Sequence, residues 1–87
     1  MTKTAPPADQ SSPDRSLDVT GLKCPLPVLK ARKALSGMAA GTVLEVLATD
    51  PAATLDFRHF SKQSGHELLL SEAEGEVLRF LLRRAAP

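Results

Sequence analysis

Pro25 and Pro27 stand directly in front of a run rich in Leu, Ala, Lys and Arg. No other feature constrains the local fold so tightly. The residues of the run are good helix formers. Proline is tolerated in a first helical turn, where the N–H groups have no intrahelical acceptor, but not in the helix interior. Pro25 therefore fits the first helical position and Pro27 the third, which makes Cys24 the N-cap. Orphan amides and the helix dipole favour negative charge there. The expectation is a thiol that ionises more readily than a free cysteine. Leu26 and Val28 keep amide hydrogens that could face the sulfur, and Lys23 places a positive charge beside it.

The rest of the composition narrows the function. A chain of 87 residues makes one domain, and with three Phe and no Trp or Tyr its core must be mainly aliphatic. A net charge of +1 gives no global drive toward nucleic acid or membrane. Cys24 is the only cysteine, so no internal disulfide can form. With two histidines it makes a poor zinc set, and neither metal nor cofactor is expected. No signal-peptide pattern and no apolar run near the roughly 20 residues of a membrane span is present, so the expected location is the cytoplasm. A lone exposed thiol stays reduced and reactive in such a compartment. The competing view of Cys24 is a small buried apolar residue.

Residues 1–15, with three prolines among polar residues, read as a disordered tail preceding a domain over 16–87. Ser16–Thr20 alternates like a short strand with Leu17 and Val19 on one face. The helix from Pro25 to about Ser36 has an apolar stripe of Val28, Ala31, Leu35 and Met38, and Gly37 stops it. Lys30, Arg32 and Lys33 lie on another arc, either a solvated face or a docking surface for an acidic partner. Thr42–Thr49 reads as a strand with Leu44, Val46 and Ala48 inward. Asp50-Pro51 repeats the cap logic, with Asp50 as N-cap. The second helix buries Ala53, Phe57, Phe60 and Ser64 and ends at Gly65. Asp56 borders that stripe and fits a local hydrogen bond, while His59 lies off it and reads as incidental. His66–Ser71 is a strand and Glu72–Gly75 a turn. Glu76–Arg84 fits either a strand burying Leu78, Phe80 and Leu82, or a helix, since Ser71 and Glu74 have capping-box spacing; Gly75 weakens the helix.

The order strand, helix, strand, helix, strand, strand implies helices on one face of a mixed sheet. The other face would then present Val43, Leu47, Leu69 and Leu81 as an apolar patch.

On these residues the chain from Leu17 onward resembles the TusA-like (SirA-like) sulfur-carrier family. The likeness is carried by Asp18-Val19-Thr20-Gly21-Leu22-Lys23-Cys24-Pro25-Leu26-Pro27, continues through Val28–Leu35, and is supported by Thr49-Asp50-Pro51, Asp56, Phe60 and Gly65-His66. The resemblance implies an α/β two-layer sandwich with two helices on one face of a four-stranded mixed sheet, which favours a strand at the C-terminus. It implies that Cys24 accepts sulfane sulfur as a persulfide, with Lys23, Pro25, Leu26 and Pro27 shaping its loop. It further implies a donor protein (cysteine desulfurase or rhodanese-like) and a downstream relay acceptor, serving tRNA 2-thiouridine synthesis or another sulfur-trafficking route. Contacts to partners through Lys30, Arg32, Lys33 and Asp50 would be part of that role, which suits a monomer that docks transiently. Persulfide exchange needs a nucleophilic, accessible sulfur, and no second cysteine can short-circuit it. Two other functions compete. One is a non-catalytic adaptor using the open sheet face. The other is RNA binding through the basic arc, disfavoured because aromatic stacking platforms are lacking.

Overall fold

The computed structural model describes residues 13–86. The rest of the expected tail, residues 1–12, lies outside them. The elements are β1 (Arg15–Asp18), α1 (Leu26–Ser36), β2 (Val43–Ala48), α2 (Ala53–Ser64), β3 (Glu67–Glu74) and β4 (Val77–Arg83). They form a four-stranded sheet ordered β1-β2-β4-β3, with both helices packed on it. β1 and β2 are parallel, and the pairs β2–β4 and β4–β3 are antiparallel. The first strand takes in Arg15, opposite Leu44, one residue ahead of the expected start.

The core lies between sheet and helices. Leu44, Val46 and Ala48 of β2 and Phe80 and Leu82 of β4 face Ala31, Ala34 and Leu35 of α1 and Ala53, Phe57 and Phe60 of α2. Val28, Met38 and Leu78 pack on its edge, and Ser64, expected inside, is exposed. The C-terminal segment is a strand because β4 fills the inner position between β2 and β3, where backbone pairing on both edges is available to it. β3 runs on to Glu74, past the expected turn; the connection to β4 is the two residues Gly75 and Glu76. Gly75 opens that turn at φ 64°, a backbone state that glycine adopts freely.

The open sheet face is not the apolar patch expected. A shift of register between Leu68 and Leu70 sets Leu70, not Leu69, opposite Leu81. Leu81 is fully buried, and Val43, Leu47 and Leu69 are half-buried. A polar ladder crosses the same face in sheet order. Ser16 Oγ donates to Glu45 (2.6 Å), Arg79 Nε donates to Glu45 (2.6 Å), and Arg79 Nη1 donates to Glu72 (3.1 Å). Arg83 Nη1 adds a bond to Glu67 (3.0 Å). Period-two alternation put Arg79, Leu81 and Arg83 on this face together, but it did not foresee the register shift in β3 or the burial of Leu81.

One joint is sensitive to pH. His66 Nδ1 accepts the Ala85 N–H (2.9 Å), which holds the chain after β4. Burial, and then the charge of Arg84, hold this imidazole below its ordinary range. The neutral ring is the form that accepts, so its stabilisation is complete above the unfolded imidazole value, about 6.5. It is lost as pH falls through the lower folded value. Hydrogen exchange at the Ala85 amide should accelerate on acidification beyond the intrinsic trend, and His66→Phe should exchange fast at neutral pH. A protected Ala85 amide in that variant would show the bond to be dispensable.

Candidate functional site

Cys24 is exposed and lies in the segment joining β1 to α1. That segment is built from local turns and pinned to the loop between β2 and α2. Asp18 Oδ1 accepts both the Thr20 N–H (3.0 Å) and the Thr20 hydroxyl (2.7 Å), closing a turn at the strand end. Gly21, at φ 84°, donates its N–H to Thr49 Oγ1 (2.8 Å). Cys24 N–H donates to Asp50 Oδ2 (2.6 Å), while Asp50 Oδ1 accepts the Ala52 N–H (3.0 Å). Asp50 thus holds the cysteine backbone with one oxygen and its own turn with the other. Its carboxyl is held below the usual carboxylate range by those two N–H groups and by the charge of Lys23. The α2 helix itself begins at Ala53, later than the expected Asp50 cap, and Ala53 N–H bonds to the Asp50 carbonyl (2.9 Å).

The α1 start also differs from expectation. The helix begins at Leu26, with Pro25 at the N-cap and Pro27 buried in the first turn. Cys24 stands one residue before the cap, joined to Pro25 by a cis peptide bond. The Leu26 N–H, expected to face the sulfur, donates instead to the Lys23 carbonyl (2.8 Å). The thiol therefore does not ionise more readily. Asp56, which lines the same groove, pushes it up, as do partial desolvation and the charge of Asp50. Lys23, expected to assist ionisation, acts on Asp50 instead.

Cys24 and Pro25 form one end of a groove of about 210 Å³ between the helices. Val28, Leu29 and Arg32 line it from α1, and Asp56, His59 and Gln63 from α2. The basic arc is therefore divided. Arg32 belongs to the thiol groove, whereas Lys30 and Lys33 line a separate depression with Arg15 and Leu17. The sequence pointed to a local hydrogen bond for Asp56 and no role for His59, although Asp56, His59 and Gln63 at spacings of three and four mark one helical face. Nothing in the local sequence says that this face meets the thiol. Leu26 and Leu29 are exposed beside the cysteine (44% and 49%), while the sheet exposes Val77 (38%).

The site is thus an exposed lone thiol lining an interhelical groove on a two-layer α+β scaffold. The chain belongs to the TusA family: a family model described as Sulfurtransferase TusA matches residues 15–84. It is 49% identical over 72 residues to the sulfur carrier protein TusA of Allochromatium vinosum, covering 83% of this chain and 95% of that one. The crystal structure of a SirA-like protein from Desulfitobacterium hafniense shares the fold (TM-score 0.72, 25% identity), covering 83% of this chain and 99% of that one. Among the described residues no cluster of His, Cys, Asp and Glu could hold a metal ion, and no helix is long and apolar enough to cross a membrane.

Proposed function

We propose that this protein is a sulfur carrier that takes sulfane sulfur onto Cys24 as a persulfide and passes it to an acceptor protein. The observation that carries this reading is the exposed Cys24, the only cysteine of a chain in a sulfurtransferase family. In loading, Cys24 Sγ attacks the outer sulfur of a donor persulfide and the donor thiolate leaves; the outer sulfur on Cys24 is then the atom passed on. Cysteine desulfurases and rhodanese-like proteins are the donor classes that present such a sulfur. The acceptor serves tRNA 2-thiouridine synthesis or another sulfur-trafficking route.

The test is intact mass after incubation with a cysteine desulfurase, cysteine and pyridoxal phosphate. A gain of one sulfur, removed by dithiothreitol and mapped to the Cys24 peptide, is expected. Absence of an adduct with this and other sulfane donors defeats the proposal. The adaptor alternative loses its main support, since the sheet face it needs carries three ion pairs and its Leu81 is buried.

Asp50 provides a graded check. Asp50→Ala leaves the Cys24 and Ala52 amides without their acceptor. Loading is expected to slow by about ten- to a hundredfold through misplacement of the sulfur. Asp50→Asn keeps one acceptor oxygen and should fall between. Unchanged initial rates of adduct formation in Asp50→Ala would show that this anchor does not position the thiol.

A further inference from the structure

We propose that Asp56 decides when Cys24 can react: its carboxylate, lining the same groove with no cation paired to it, opposes attack by the sulfur in the free carrier, and a partner seated in the interhelical groove lifts that opposition by bringing a cation against Asp56. This rests on the sulfur-carrier reading and adds to it a gate and a required feature of the partner.

The geometry supplies the argument. Cys24 and Asp56 line one groove, Asp56 from the first turn of α2. The positively polarised groups of the cysteine segment are already engaged. Cys24 N–H is held by Asp50 and Leu26 N–H by the Lys23 carbonyl. Lys23, on the same segment, acts on Asp50. Arg32 of α1 and His59 of α2 also line the groove, but no ion pair joins either to Asp56 among the described residues. Asp56 is thus a half-buried carboxylate without a cation, beside a nucleophile. Negative charge at that place opposes the thiolate, and partial desolvation adds to it. The exposed Leu29 on the facing wall offers apolar footing to whatever carries the missing cation.

The consequence is selectivity. A neutral thiol exchanges slowly with stray disulfides, because the thiolate is the attacking species. A docked donor that neutralises Asp56 removes the opposition. Cys24 Sγ then bonds to the outer sulfur of the donor hydropersulfide, and the donor S–S bond breaks with its electron pair passing to the inner sulfur. The proton given up by Cys24 ends on that inner sulfur as a thiol. Atoms and charge balance without an outside oxidant.

Small disulfides of different charge test the gate on the full chain: cystamine (cationic), bis(2-hydroxyethyl) disulfide (neutral) and dithiodipropionate (anionic). Iodoacetamide alkylation is followed against pH in parallel. The wild type should react fastest with cystamine. Asp56→Asn should lose most of that charge preference and shift its alkylation profile to lower pH. The thiolate gained outweighs the nucleophilicity lost as the thiol becomes less basic, so alkylation at neutral pH should rise about threefold. Asp56→Glu should keep wild-type behaviour, and Asp56→Ala repeats the test if the Asn variant folds poorly. Wild-type profiles and charge preference in folded Asp56→Asn or Asp56→Ala would overturn the gate. Sulfur loading of the wild type is measured alongside; its failure would defeat the carrier reading, while the alkylation profiles still decide on Asp56.

Discussion

Cys24→Ser is expected to abolish sulfur loading completely and leave the fold untouched. The loss should be total because the chain has no other thiol to take over. A serine hydroxyl stays protonated at neutral pH and forms no persulfide, so the effect is chemical and not a matter of degree. The fold should survive because Cys24 is exposed and contributes nothing to the buried cluster. Its backbone N–H, which bonds to Asp50, is unchanged by the substitution. Surface changes of this kind usually stay within about 0.5 kcal/mol. Intact mass and a thermal melt on the same sample decide it. An adduct surviving in Cys24→Ser would move the chemistry to another residue.

Phe57→Ala is the substitution with the largest expected effect on stability. Phe57 is fully buried and joins α2 to the sheet, its ring centroid 4.6 Å from that of Phe80 and 6.4 Å from that of Phe60. Deleting a buried Phe side chain costs about 3–5 kcal/mol, because lost transfer energy is compounded by the cavity left behind. A domain this small has about 5–15 kcal/mol in all, so a large share of the folded state's advantage goes. Phe57→Leu fills more of the space and should cost much less. Urea unfolding should show a lower midpoint with a similar slope in both variants, far lower in Phe57→Ala. A midpoint near that of the wild type would mean that the core closes over the gap. The same reasoning applies to Leu81. A charge placed there would unfold the sheet, so loss of activity in such a variant says nothing about a docking face.

Much of the fold was legible because its signals are local. Gly37 and Gly65 ended their helices as expected, and Gly65 does so at φ 85°. Period-two alternation identified the inward residues of β2. The C-terminal segment was ambiguous by periodicity, and pairing with two neighbouring strands resolved it. The register shift in β3 and the burial of Leu81 depend on what lies across from a residue, not beside it in sequence.

The sequence by itself determined that one thiol stands just before a proline-marked helix and has no internal cysteine partner. Steric limits on proline and the helix-forming preferences of the following run act within a few residues, and they suffice for that. Only the tertiary structure decided what surrounds the sulfur. Asp50 reaches Cys24 from 26 positions away in the chain, and Asp56 arrives through the packing of α2 beside α1. Charges act through space, so a site expected to present amides to a thiolate presents carboxylates to a thiol.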